Sequence, residues 1–307
     1  MLLRATEGLQ MKKVLVTGAN GLLGQRIVEI LSPAYKILAC DLGSEFFLSN
    51  KASYHSLDIR EKDKLMTSAK SFRPSWIINC AAYTDVDGCE ENQALAWSVN
   101  VDGVKNLTEI CQESKINLVH FSTDYVFDGK DGPYAEEDKT SPINFYGKTK
   151  LESEKVIKHS GINCTLIRTN VLYGCGEKVK ANFFLWVWEK LKDGEKLKVV
   201  DDQYNNPTLA FNLAGIVKEA IDAKIFGLYH IGGADWLSRF EFAQKIALSF
   251  GFNKEKIEPI KTSILEQIAP RPLRGGLRID RARKAFKAEI WGIDKSLEFL
   301  KKSCLGR

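Results

Sequence analysis

The sequence predicts an α/β protein built on a doubly wound parallel sheet, with a smaller C-terminal lobe. Three observations predict it. Short β-branched runs alternate with amphipathic helical segments through the first half of the chain. A glycine-rich turn, Gly18-Ala19-Asn20-Gly21-Leu22-Leu23-Gly24, separates the first strand from the first helix. An aspartate, Asp41, closes the second strand.

The elements follow in order. Lys13 to Thr17 is a buried strand stopped by Gly18. Leu22 to Leu31 has helical spacing and ends before Pro33. Tyr35 to Cys40 and Tyr54 to Leu57 are the second and third strands, and Lys62 to Phe72 is an amphipathic helix. Trp76 to Cys80 is the fourth strand, Ala94 to Cys111 one long helix, and Asn117 to Phe121 the fifth strand. Phe145 to Ile157 is a helix with a charged face, and Cys164 to Ile167 is the sixth strand. Beyond residue 169 glycines and prolines break the pattern, leaving helices at Leu213 to Ala223, Phe240 to Phe250 and near Lys295 to Lys302. The expected division is an extension at 1–10, a dinucleotide-binding domain at 11–168 completed by part of 208–230, and a lobe for substrate at 169–307.

Composition narrows the function. The chain has 307 residues, 44% hydrophobic and 27% charged, which suits a folded domain and excludes a disordered one. The excess of +5 is scattered without a basic run, so no nucleic-acid partner is expected. No apolar stretch reaches the roughly 18 residues of a membrane span, so no membrane partner is expected. The 7 cysteines are odd in number and lack a CxxC pair, which predicts unbridged thiols in a reducing, cytoplasmic compartment.

The glycine turn carries the first chemical reading. Glycines there permit a tight turn and close approach of a pyrophosphate, and the following helix offers free N–H groups and the positive end of its dipole. Gly18, Asn20, Gly21, Leu22, Leu23 and Gly24 are therefore candidate dinucleotide contacts. Asp41, with Leu42, is placed to take ribose hydroxyls and to repel a 2′-phosphate; with no Arg or Lys following, NADH is favoured over NADPH. The alternative for Asp41 is a turn-capping role. Asp58 and Ile59 are placed to flank an adenine, with a helix cap as the alternative for Asp58.

The second reading rests on Tyr146 and Lys150, four residues apart and so on one face of a helix. A neighbouring ammonium lowers the pKa of a phenol, which fits the pair for proton transfer to a carbonyl oxygen. The pattern alone also describes a solvated helix face. Ser122 and Thr123, at the carboxyl end of the fifth strand where open α/β sheets bind ligands, strengthen the chemical reading. Local backbone bonding is their alternative. Further along, Phe183, Phe184, Trp186 and Trp188 read as core, a subunit contact or a nucleobase platform. Arg271 and Arg274 read as a diphosphate clamp or as surface arginines.

Taken together, VTGANGLLG (16–24), NCAAYTDVDGCE (79–90), STDYVFDG (122–129), YGKTKLESE (146–154), RTNVLYG (168–174) and DDQYNNPT (201–208) resemble the extended short-chain dehydrogenase/reductase family, with its Rossmann-like fold, and within it the dTDP-4-dehydrorhamnose reductases. The resemblance implies NADH or NADPH as cofactor and a nucleotide-sugar substrate whose 4-keto group is reduced. It implies Tyr146 as proton donor, Lys150 as the nicotinamide-ribose contact that tunes it, and Thr123 as the group polarising the carbonyl. It places Ala81, Ala82 and Tyr83 along the cofactor, gives Asn100 a supporting role, and puts Thr123, Asp124, Tyr125, Asn170 and Arg271 near the sugar nucleotide. Two positions depart from the family: Val171 stands where a tryptophan is common, and Asn205 where glycine is usual. Both bear on sugar identity rather than on hydride chemistry. Some relatives form a Mg2+-bridged homodimer, and no acidic cluster in this sequence decides for or against the metal or the homodimer here. Similar chains of another class bind dinucleotide as the regulatory β subunit of methionine adenosyltransferase, and others are sugar-nucleotide epimerases or dehydratases that retain NAD+.

Overall fold

A computed structural model describes residues 11–179 and 182–303. The expected extension at 1–10, and Cys304, lie outside the described residues. The strands β1 (Lys13–Thr17), β2 (Lys36–Asp41), β3 (Ser53–Ser56), β4 (Trp76–Asn79), β5 (Asn117–Thr123) and β6 (Cys164–Thr169) alternate with helices α1 (Leu22–Leu31), α2 (Lys62–Phe72), α3 (Val86–Glu91), α4 (Gln93–Trp97), α5 (Gly103–Ser114) and α6 (Phe145–Ser160). A seventh strand, Gly227–His230, joins the far edge beside β6. The spatial order runs Gly227–His230, β6, β5, β4, β1, β2, β3, and every pairing is parallel. The chain leaves β1 in one direction through β3 and returns to lay β4 on the other side. The crevice between the carboxyl ends of β1 and β4 is therefore the switch point at which such sheets bind ligands.

Both faces of the sheet are covered, so its central strands read as continuous apolar runs rather than alternating ones. Val14, Leu15 and Val16 are all fully buried. One face packs under α1 and α8 (Ala210–Ala223), where Ile27 and Leu31 meet Leu213, Ile216 and Val217. The other packs under α2 and α5 through Leu65, Val104, Leu107 and Ile110. Residues 210–230 thus join the sheet's own core.

A second apolar cluster is built from α7 (Phe183–Lys192), α9 (Arg239–Phe250), α11 (Ile293–Ser303) and the paired strands Leu197–Val200 and Ile257–Ile260. Phe184 is fully buried there, and Phe183 stacks on Phe242 with ring centroids 5.5 Å apart. Trp188 meets Phe252 edge to face. Core packing therefore accounts for the aromatic run. A short helix, α10 (Asp280–Ala285), packs by Ala282 against the first cluster.

One local reading needs correction, and one helix was not expected. The single helix expected over Ala94 to Cys111 is interrupted by a π turn at Ser98–Asp102, between α4 and α5. Helix α3, only six residues long and with Gly88 inside it, is too short for its periodicity to show. It is held by the Asp85 side chain, which accepts from Gly88 N at its N-terminus.

Candidate active site

The glycine turn closes exactly under the switch point because no side chain fits there. A Cβ on Gly24 would lie 2.1 Å from the carbonyl oxygen of Gly18, and one on Gly18 would lie 2.5 Å from Ala81 N. Gly18 also holds φ at +65°, which favours glycine. Gly21 caps α1 without a side-chain hydrogen bond, so the first-turn N–H groups of Leu22, Leu23 and Gly24 have no side-chain acceptor. This bare N-terminus, with β4 drawn against it, is a cradle that fits a dinucleotide pyrophosphate.

Asp41 ends β2 beside the turn. Its carboxylate accepts from Asn20 N and from Leu42 N, both at 2.8 Å. Asp41 thus caps the turn, and each of its oxygens keeps a second lone pair. Leu42 is 68% exposed next to it. Asp58 does not cap α2, whose N-cap is Glu61; it instead grips Arg60 by backbone and guanidinium, which holds its carboxyl below the usual range. Ile59 is buried against Gly103, so its side chain is core.

Beyond β4, Asn100 organises the strip from Ala81 to Tyr83. Its Oδ1 accepts from Tyr83 N at 2.8 Å, and its Nδ2 donates to Tyr83 O at 3.0 Å and Thr149 Oγ1 at 3.1 Å. One buried amide therefore ties that strip to α6. The π turn swells the helix and aims this side chain inward.

Helix α6 is started by Asn144, which accepts from Gly147 N at 2.8 Å, and by Glu90 of α3, which accepts from Phe145 N at 2.7 Å. This start sets Tyr146 in the first turn and Lys150 one turn on, buried at 3% exposure. Thr123 ends β5 with its hydroxyl on the Tyr146 side, where it favours the phenolate. Tyr125 meets Tyr146 edge to face at 5.9 Å.

The charge state of the pair differs from expectation. Burial raises the Tyr146 phenol above its ordinary pKa, with Cys89, Asp124 and Tyr125 adding to the rise and Thr123 opposing it. Burial also lowers Lys150 to about 8, against the pull of Glu154 and Cys89. Desolvation dominates the shift, so at neutral pH Tyr146 is protonated. A protonated phenol is what a proton donor requires.

Ser122 does not face the ligand edge. It points with His120 toward α6 and donates to Glu154 Oε1 at 2.5 Å. Glu154 also accepts from Arg168 Nε and Nη2 at 2.9 and 2.7 Å, a buried fork that pins α6 to β6. Arg168 continues to His230 Nε2 at 3.2 Å. His120, Glu154, Arg168 and His230 were not among the sequence candidates. The alternation of β5 placed His120 and Ser122 on one face, but only the packing of α6 revealed which.

Around the rim, Asp124 is buried and accepts from Asn170 Nδ2 at 3.0 Å and Gly276 N at 3.1 Å. Asp124 and Asn170 thus brace the ends of β5 and β6 against the 275–276 loop. Arg271 bonds Asp87 Oδ1 at 2.9 Å and Ala269 O at 2.8 Å, closing the 269–271 loop over α3. Arg239 lies near Tyr125, Asp124 and Arg271, with burial and Arg271 lowering its pKa. Arg274 instead stacks over Tyr204 and Trp236, at 5.6 and 5.0 Å. Among the described residues, no cluster of three or more His, Cys, Asp or Glu is arranged to hold a metal ion. Among them, too, no helix is long and apolar enough to cross a membrane.

The chain is similar to known proteins over most of its length. The probable low-salt glycan biosynthesis reductase Agl14 of Haloferax volcanii is 33% identical over 267 residues, 86% of this chain and 89% of that protein. The methionine adenosyltransferase 2 subunit beta of Rattus norvegicus is 29% identical over 296 residues, 94% of this chain and 85% of that one. The crystal structure of dTDP-4-dehydrorhamnose reductase from Bacillus anthracis in complex with NADP superposes with a TM-score of 0.85 at 31% identity, covering 95% of this chain and 99% of that one. Residues 11–302, nearly the whole length, match the family described as the RmlD substrate binding domain, and to that family this chain belongs.

Proposed function

We propose that this protein is an NAD(P)H-dependent oxidoreductase that reduces the 4-keto group of a dTDP-4-keto-6-deoxy sugar, converting dTDP-4-dehydrorhamnose to dTDP-L-rhamnose. The observation that carries the reading is the placing of Tyr146 and a buried Lys150 one turn apart on α6, with Thr123 at the end of β5, on the sheet whose β1–α1 turn is the glycine cradle.

The cradle of Gly18, Asn20, Gly21, Leu22, Leu23 and Gly24 would hold the pyrophosphate, Asp41 and Leu42 the adenosine end, and Ala81, Ala82 and Tyr83 the approach to the nicotinamide. Asp58 stands at the same rim; Asn100 supports rather than touches. The bound reduced nicotinamide supplies a hydride to carbon 4. Thr123 and Tyr146 hydrogen-bond the carbonyl oxygen. As that oxygen gains charge, Tyr146 gives it the phenolic proton, and the Lys150 cation stabilises the phenolate left behind. Asp124, Tyr125, Asn170 and Arg271 would shape the substrate side, with residues 11–168 and 210–230 serving the cofactor and the remaining C-terminal lobe the sugar nucleotide.

A homodimer in the cytoplasm completes the proposal; the described thiols Cys40, Cys80, Cys89, Cys111 and Cys164 are unbridged, as a reducing compartment requires. The test mixes the purified protein with dTDP-4-keto-6-deoxy-L-mannose and NADH or NADPH, and follows the reduced nicotinamide by absorbance. Consumption that Tyr146→Phe abolishes is expected. Tight dinucleotide binding without consumption of any keto sugar would instead favour a regulatory role like that of the methionine adenosyltransferase subunit.

A further inference from the structure

A chain of buried polar side chains crosses the middle of the sheet from the glycine turn to Lys150. Thr17, the last residue of β1, donates its hydroxyl to Asn79 Oδ1 at 2.7 Å. Ala81 N–H donates to the same oxygen at 3.2 Å. A backbone N–H only donates, so this atom of Asn79 is the oxygen and its amide nitrogen is turned the other way. That nitrogen lies 3.0 Å from His120 Nδ1. Nδ1 must accept, and so carries no proton. The proton of the neutral ring therefore sits on Nε2, 3.2 Å from Ser153 Oγ. Ser153 has already given its own hydrogen to the Lys150 carbonyl, at 2.7 Å, which leaves its oxygen free to accept. The same Nε2 is 3.5 Å from Lys150 Nζ. His120 and Ser153 are fully buried, and Thr17 and Asn79 nearly so.

Lys150 thus meets an N–H where a lone pair would have held its ammonium. From this we infer that His120, locked by Asn79 and Thr17 as the neutral Nε2–H tautomer, is a positioning residue: it denies Lys150 an acceptor inside the sheet and turns the cation's hydrogens toward Tyr146 and the cofactor. The other groups facing Lys150 act in the opposite sense. Glu154, one turn along α6, and Cys89, from α3, both favour the charged amine. Burial outweighs them and lowers Lys150 to about 8, and burial with the Lys150 charge keeps His120 neutral well below the ordinary imidazole range. The chain begins at Thr17, directly before Gly18, and ends where Ser153 donates to the Lys150 carbonyl. The role given to Lys150 rests on the reductase reading; the tautomer of His120 does not.

The test has two parts. In protein labelled with 15N-histidine, long-range proton–nitrogen spectra between about pH 6 and 9 report which ring nitrogen bears hydrogen, with His120→Gln assigning the signal. His120 is expected to stay neutral and Nε2-protonated throughout. An Nδ1–H ring, or an imidazolium in that range, overturns the inference without any substrate. In Asn79→Asp, a carboxylate faces Nδ1 and draws the proton there, so Nε2 becomes an acceptor for Lys150. The alkaline limb of kcat/KM is then expected to move up by about one pH unit or more, a tenfold change in the proton equilibrium. A folded Asn79→Asp protein with the reversed tautomer and an unmoved limb also overturns it. If no keto sugar is reduced, the reductase reading falls, and the same limb is read from the pH dependence of NADH dissociation. If Asn79→Asp does not fold, the wild-type tautomer decides.

Discussion

Tyr146 shows how burial chooses a chemical role. A phenol pushed above its ordinary pKa stays protonated at neutral pH, which suits donation and not abstraction. Tyr146→Phe should lower kcat by roughly 10²–10⁴-fold while leaving NADH affinity within a few-fold, measured by steady-state kinetics and fluorescence titration. Equal losses in both would mean the ring serves binding rather than proton transfer. Val171 is a residue-scale anomaly of another kind. Its φ is +42°, a region β-branched side chains rarely enter. Relief of that strain predicts that Val171→Gly keeps or raises the thermal midpoint, although glycine ordinarily destabilises by about 0.5–1 kcal/mol. A clear drop on calorimetry would mean the Val171 side chain contributes more than its backbone costs.

At the scale of elements, α1 and α6 are placed by contacts that tolerate little change. Gly24→Ala sets a methyl 2.1 Å from a backbone oxygen, so the turn must open. The variant should lose dinucleotide binding by tenfold or more, seen by titration, even where circular dichroism shows it folded. The register of α6 depends on the Glu154–Arg168 fork, with exposures of only 8% and 5%. Arg168→Met strands a buried carboxylate and should cost about 3–5 kcal/mol in urea unfolding, because a lone buried charge is worse than no pair. Replacing both partners by apolar residues should recover much of that loss. The periodicity of α6 was legible from its sequence. The partner that anchors it was not, since Arg168 lies on a strand that alternation alone leaves free to face either way.

For the whole molecule, two buried imidazoles make acid the main threat. His120 and His230 are held neutral by burial, with Lys150 opposing the charge on the first and Arg168 on the second; His230 is lowered to about 3. The unfolded chain takes up protons on these rings near pH 6.5, while the native state does not. Protons bound only when unfolded lower stability as pH falls. Each ring should remove up to roughly 1.4 kcal/mol per pH unit below about 6.5, with no loss above it. Asp124, raised by burial, acts in the opposite sense only near the ordinary carboxylate range. Urea midpoints at pH 7, 6 and 5 test this; a flat profile would mean the rings charge in the native state.

The sequence by itself determined the α/β class, the glycine cradle and the Thr123, Tyr146 and Lys150 grouping. The class, the cradle and the Tyr146–Lys150 spacing are local, being strand and helix periods, a turn that needs glycine and two residues one helical turn apart, whereas Thr123 joins them through the family resemblance. Only the tertiary structure decided what surrounds them. Thr17, Asn79, His120 and Ser153 come from three strands and a helix, and their hydrogen bonds span up to 62 residues of chain. The seventh strand, the π turn at Asn100 and the face chosen by Ser122 were equally hidden. Such partners meet only through sheet order and helix packing, and burial then sets their protonation, which no spacing along a chain encodes.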